Sequence, residues 1–254
     1  MVIATKDHIV IASDSKELLS TAAGGVDSLN PAQNIVVFNN ETAVAISGFA
    51  EINISKADGT AVFHFSALEL LKGVKDSLPR AASIPVIERV VVDKMKREMD
   101  RYLPYFVNES VDLKNAPPWH SLDFIVAGYE AGVPIVHKIT LEFNWSLKEI
   151  SSPIVTPEDI SANGPRWICS GICKSIIRLM TVPNSGERRV ASVRYPAAFK
   201  FSGGDPIQLA DAASDFIRVE SEFNRKNVDG NVGGPINLVT LRQNKKPLVK
   251  TLPK

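Results

Sequence analysis

The chain has little of what would settle its class quickly. It carries two cysteines in 254 residues, too few for a disulfide scaffold. Its 29 basic and 28 acidic side chains leave a net charge of +1, so neither nucleic acid nor an anionic membrane is the expected partner. No run of 18 apolar residues occurs, and no transmembrane helix is expected. Met1 leads straight into an alternating strand, with no basic segment and apolar core before it. No signal peptide is read, and the expected compartment is the cytoplasm; an apolar leader upstream of Met1 would move the protein outside it. His8, His64, His120 and His137 are scattered without metal-ligand spacing, so no metal and no cofactor is expected. Gly233-Gly234 is followed by Pro235 and a strand, not by the helix N-terminus that a phosphate cradle needs. No short-period repeat is visible.

Cys169 and Cys173 lie four apart. On one helix their β-carbons would sit roughly 5–6 Å apart, too far for an unstrained disulfide. They read as two small core residues. Sequons at Asn40, Asn53, Asn108 and Asn144 carry meaning only in a secreted protein.

What is present is an ordinary globular composition, 44% hydrophobic and 22% charged, long enough to bury a core without staples. Val2 to Lys16 reads as two short strands joined at Lys6-Asp7-His8. Residues 17–34 contain Gly24-Gly25 and Asn30-Pro31 and read as loop. Asn34 to Phe38 and Thr42 to Gly48 form another strand pair around Asn39-Asn40. The second of these is apolar on both faces, as in a sheet covered twice.

Ala61 to Leu78 reads as a helix stopped by Pro79. A second helix opens at Pro85, with Ile87, Val91, Met95, Met99 and Leu103 at four-residue spacing, and ends at Pro104. Leu122–Gly128 and Val133–Ile139 flank a Gly-containing hairpin loop. A short strand follows at Arg166–Cys169, then helices over Ile172–Met180 and Ile207–Asn224, and a closing strand at Ile236–Leu241. Ala210, Ala213, Ile217 and Ser221 would share one face of the last helix, an amphipathic one. The basic segment 242–254 reads as a solvated tail behind a single domain over 1–241. The pattern predicts an α+β fold with helices covering both sides of stacked sheets.

Five segments, in order, resemble proteasome-type subunits of the N-terminal-nucleophile hydrolase family. They are Val10–Lys16, Asn34–Gly48, Phe124–Pro134 with its Ala-Gly-Tyr-Glu-Ala-Gly-Val-Pro hairpin, Cys169-Ser170-Gly171, and Asp229–Leu238. Residues 50–66 and 104–121 match poorly and look like insertions. The resemblance implies a four-layer αββα sandwich and hydrolysis of peptide or amide bonds. In that family the hydroxyl of the first mature residue, a threonine, attacks the carbonyl, with its own α-amine as base.

Carried over residue by residue, Asp14 matches the aspartate that holds an activating lysine, and Gly48 the glycine on the oxyanion side. Ser170 and Asp229 match the polar groups that orient the terminal amine. Asn34 stands at the lysine position and supplies no cation; a cation within a few ångströms would move a neighbour's pKa by roughly 1–3 units. Val232 replaces a family serine. Aligned through Asp14, the family's nucleophile falls just before Met1, and Thr5 is too deep in the first strand to stand in for it.

Each of these residues also has a plainer reading. Asp14-Ser15 makes a strand-end turn, Ser170-Gly171 a helix cap, Asp229 a turn, and Gly48 a strand terminator. Three functions stay open. The first is a peptidase whose nucleophile precedes Met1. The second is a non-catalytic subunit acting through homo- or hetero-oligomeric assembly. The third is a hydrolytic or binding domain with another substrate.

Overall fold

The computed structural model describes residues 1–14, 17–20, 26–29, 34–48, 51–55, 61–108, 121–144, 149–160, 164–171, 173–200, 203–224 and 234–253. Two antiparallel sheets dominate. The first contains β1 (Val2–Ala4), β2 (His8–Asp14), β13 (Arg166–Ile168), β14 (Ile236–Arg242) and β15 (Lys245–Leu252), in the order β13-β1-β2-β14-β15. The second contains β5 (Ile35–Val37), β6 (Thr42–Gly48), β9 (Ser121–Glu130), β10 (Val133–Asn144) and β11 (Glu149–Ile150), in the order β11-β10-β9-β6-β5. In that sheet β12 (Ile154–Pro157) also pairs with β10. Two hairpins stand apart: β3 (Glu17–Ser20) with β4 (Val26–Leu29), and β7 (Glu51–Ser55) with β8 (Ala61–Ser66).

The strands alternate, and the alternation builds three apolar layers. Ile9 and Ile11 face one way with Val2 and Ala4, against Ala43, Ala45, Ile125 and Ala127 of the other sheet. Val10, Ala12 and Ile3 face the opposite way, onto a helical layer. Val44, Ile46, Phe124 and Val126 likewise turn outward from the second sheet, onto another. Because side chains on a strand point to opposite faces in turn, a run apolar at every position must be covered twice. The order of layers is therefore helices, sheet, sheet, helices.

The helices on the second sheet are α1 (Ala67–Ser77) and α2 (Ile84–Asn108). They lay Leu71, Val74, Ile87, Val91, Met95 and Met99 on it. The four-residue Met stripe is core, as its spacing predicts. On the first sheet lie α3 (Lys174–Thr181), α4 (Gly186–Arg194), α5 (Pro196–Lys200) and α6 (Pro206–Asn224).

Several elements differ from the sequence reading. Residues 61–66 are strand, not helix: His64 is exposed and Phe65 buried, a period of two. Ser66 then caps α1 by accepting from the Glu69 N–H at 3.3 Å. Helix α2 runs through Pro104 to Asn108, since a proline forfeits one helical bond without stopping the chain. Within 17–34, the stretches 17–20 and 26–29 pair as β3 and β4. The tail is not simply solvated: Lys245–Leu252 adds an edge strand after a turn at Gln243-Asn244, with Asn244 at φ +53°. Its lysines and Pro247 suit an outer edge.

The buried face of α6 contains only one of the four residues named together above. Leu209, Ala212, Phe216, Val219 and Phe223 point inward with Ala213, while Ala210, Ile217 and Ser221 flank them. The two cysteines are bonded to each other. Cys173 caps α3 from outside the helix, so the pair spans a turn rather than a helical face. Their α-carbons are 6.3 Å apart, within disulfide range. Among the described residues no helix is long and apolar enough to cross a membrane.

Candidate functional site

At one end of the sandwich the layer between the sheets changes from apolar to polar. Ser47, Asp123 and Thr140 lie directly opposite one another across β6, β9 and β10, in register. They occupy the same strand faces as Ala45, Ile125 and Val136 of the inter-sheet core. Lys138, two residues before Thr140 on β10, shares that face. From the first sheet, the turn after β13 brings Ser170 onto this row.

The polar groups form a continuous chain. Ser47 Oγ is 2.7 Å from Ser170 Oγ. Ser170 Oγ donates to Asp123 Oδ2 at 2.9 Å, and Thr140 Oγ1 donates to Asp123 Oδ1 at 2.8 Å. Lys138 Nζ lies 3.2 Å from Asp123 Oδ2. A serine hydroxyl has one proton. Ser170 commits its proton to Asp123, so Ser47 is the donor in the Ser47–Ser170 contact. Asp123 is 8% exposed and is satisfied by three donors, as a buried carboxylate must be. Ser47 and Ser170 are half-buried, while Gly48 and Gly171 are exposed.

Two glycines shape this rim. Gly48 ends β6 at φ +88°, and a Cβ there would stand 2.3 Å from the Ser121 carbonyl oxygen. Only glycine takes this place without displacing backbone. At Gly171 a Cβ would stand 3.2 Å from Ser47 Cβ, so its absence leaves the flank of Ser47 open. The Cys169–Cys173 bond closes around the turn that holds Ser170, and Cys173 Sγ lies 3.7 Å from the Ser170 carbonyl oxygen.

A buried carboxylate sets the helix that follows. The first residues of α3 have no side-chain cap of their own. Glu220, from α6, accepts from the Ser175 N–H at 3.2 Å and the Ile176 N–H at 2.9 Å. Burial raises the Glu220 pKa above the ordinary carboxylate value, and these N–H groups draw it back down. The helix N-terminus is where a carboxylate is best placed.

Asp14 and Asn34 meet beside this region. Asp14 ends β2 opposite Ile236, and its carbonyl oxygen accepts from Asn34 Nδ2 at 3.3 Å. The Asn34 carbonyl in turn accepts from the Ile46 N–H at 3.0 Å, one residue before Ser47. Asn34 thus ties the end of β2 to β6 through its amide. The Met1 nitrogen donates to the Ala12 carbonyl at 2.9 Å, extending the β1–β2 ladder. An amine at that nitrogen is pushed down to about 6 by burial and drawn back up by the Asp14 charge.

Of the residues that the sequence singles out, Gly48 and Ser170 are brought to one rim, and Asp14 and Asn34 to one contact. Asp229 lies outside the described residues, as does Val232. Thr5 sits in the β1–β2 turn, where its hydroxyl donates to the His8 carbonyl and accepts from the His8 N–H. Ser170 is no helix cap: Cys173 holds that place and the Ser170 hydroxyl goes to Asp123.

Sequence reasoning missed Ser47, Asp123, Lys138 and Thr140. Asp123 did leave a signal, being the one charge inside the apolar run Leu122–Gly128. Among the described residues no group of three or more His, Cys, Asp or Glu side chains could hold a metal ion.

No family model matches the chain, and no curated protein matches it. Among solved structures, the chain is similar to Thiobacillus denitrificans BPH in complex with Epoxomicin. The identity is 12%, over 95% of this chain and 96% of that one. The TM-score is 0.39, too low for the likeness to carry any argument about what this chain does.

Proposed function

We propose that this chain is a proteasome-type member of the N-terminal-nucleophile hydrolases and that it hydrolyses peptide or amide bonds. The observation that best supports this reading is the Ser47–Ser170 hydrogen bond, which joins the strand end at Gly48 to Ser170. Gly48 and Ser170 were singled out, 122 positions apart in sequence, by their family resemblance alone.

The chemistry would run at that rim. A hydroxyl at the mature terminus attacks the carbonyl, and its own neutral α-amine takes the proton. Ser170, held by Asp123, offers a lone pair to orient that amine. Backbone beside Gly48 receives the developing oxyanion, where a fixed dipole acts at no reorganisation cost.

One observation favours a second reading, a non-catalytic subunit that works by assembly. At the position where the family has a lysine, Asn34 gives its amide to the Asp14 carbonyl. A neutral amide provides none of the pKa depression that a lysine would.

The test uses the full-length protein with its native terminus verified. Cleavage within a peptide panel, together with uptake of an N-terminal-nucleophile inhibitor at the terminal residue, is the expected result. Failure of both sinks the hydrolase reading. Sedimentation tests assembly separately: a clean monomer at micromolar concentration sinks the subunit reading.

A further inference from the structure

We infer that Ser47 is an internal nucleophile for acyl compounds, activated through Ser170 by the Asp123 carboxylate. The inference rests on reading the chain as an acyl hydrolase, but it does not depend on a terminal nucleophile.

Four observations carry it. Ser47 is the outermost hydroxyl of a hydrogen-bonded chain that ends on a buried carboxylate. The proton order along that chain is fixed, because Ser170 donates to Asp123 and so accepts from Ser47. The carboxylate is held by two further donors, Thr140 and Lys138, so its orientation toward Ser170 is maintained. The approach to Ser47 is flanked by two exposed glycines, Gly48 and Gly171. This is the arrangement that nucleophile activation needs: a hydroxyl within reach of a proton acceptor, and the acceptor oriented by a third group.

The step balances. Ser47 Oγ attacks the acyl carbon, a C–O bond forms, and the carbonyl π pair moves to oxygen. The Ser47 proton passes to Ser170 Oγ as the Ser170 proton passes to Asp123 Oδ2. Collapse of the tetrahedral species expels an amine or an alcohol, which takes the proton back along the same chain. Water then attacks the Ser47 ester, gives its proton along the same route, and restores the Ser47 hydroxyl as the carboxylic acid leaves. No oxidant, reductant or metal enters. Lys138 and Thr140 act as positioning residues.

The probe is an alkyl fluorophosphonate on the full chain, with the adduct mapped by peptide mass spectrometry. The expected result is one phosphonyl group on Ser47, formed with loss of fluoride. Ser47→Ala abolishes it. Ser170→Ala breaks the relay to Asp123 and slows labelling by about a hundredfold, the lower end of what general-base assistance contributes. Ser170→Thr keeps a hydroxyl and restores most of the rate, which separates proton relay from packing. An unlabelled Ser47, or equal rates in wild type and Ser170→Ala, overturns the inference.

The location of the adduct distinguishes the two readings. A terminal adduct with Ser47 untouched overturns this inference and leaves the family reading standing. A Ser47 adduct without any reaction at the terminus sustains the inference and counts against the terminal mechanism.

Discussion

Replacing Asp123 with alanine is the perturbation that the site's geometry makes most specific. It removes the acceptor of two hydroxyl bonds, from Ser170 at 2.9 Å and Thr140 at 2.8 Å, and the partner of Lys138 at 3.2 Å. Hydrogen bonds to a charged group contribute about 1.5–3 kcal/mol each, which puts an upper bound of about 6 kcal/mol on the two. Both hydroxyls are only half-buried, so water recovers part of that. The Lys138 side chain is 31% exposed, and its ion pair adds less than about 1 kcal/mol.

The expected loss for Asp123→Ala is therefore about 2–4 kcal/mol. Asp123→Asn keeps one acceptor and should lose about half as much. Urea unfolding followed by intrinsic fluorescence reads both, with an unchanged m-value as the check on the denatured state. A double-mutant cycle with Ser170→Ala should show a coupling of about 1–2 kcal/mol. A loss below about 0.5 kcal/mol for Asp123→Ala, or no coupling to Ser170, would refute the polar chain as described.

Three further outcomes follow from the same structure. Gly48→Ala puts a Cβ 2.3 Å from the Ser121 carbonyl at a φ of +88°, and should lower stability by about 3 kcal/mol in urea unfolding. Glu220→Ala strips the acceptor from the buried N–H groups of Ser175 and Ile176. A loss of about 2–4 kcal/mol is expected, reduced somewhat because a buried charge is removed as well. His137 Nδ1 lies 2.6 Å from Glu88 Oε1, and that hydrogen bond raises the His137 pKa above 6.5. A raised folded-state pKa stabilises fully below the unfolded value and is lost as pH rises through the folded one. Thermal stability should therefore fall as pH climbs from 6.5 through the raised value, and His137→Gln should flatten that slope.

Much of the fold was legible because burial on both faces leaves a plain record. Val10 to Ala12 and Ala43 to Ile46 are apolar at every position, and each lies between two layers. The β9–β10 hairpin showed through its glycine turn, which the structure builds from Ala131 at φ +49° and Gly132 at φ +81°. The edge strand β15 is less legible, because it is exposed along nearly its whole length and leaves no apolar alternation. Lys245–Leu252 reads as a basic tail for that reason.

The cysteine spacing argues against a disulfide only on a helix, and Cys173 lies outside α3. The polar row as a whole leaves no mark in the sequence, because its members come from four segments and meet only through strand register. Ser47, Asp123 and Thr140 share a line across three strands, and no local pattern announces it. Ser170 was found by resemblance, yet its partner Asp123 could be assigned only from the contact itself.

The proposed reaction takes place at the rim that holds Ser47, Gly48, Asp123 and Ser170. The decisive measurement is steady-state hydrolysis of one good peptide or ester substrate by wild type and by Ser170→Ala, compared at equal folded fraction. The expected result is that kcat/KM falls by about a hundredfold in Ser170→Ala, carried by kcat, and recovers in Ser170→Thr. Equal kcat/KM in wild type and Ser170→Ala would contradict it.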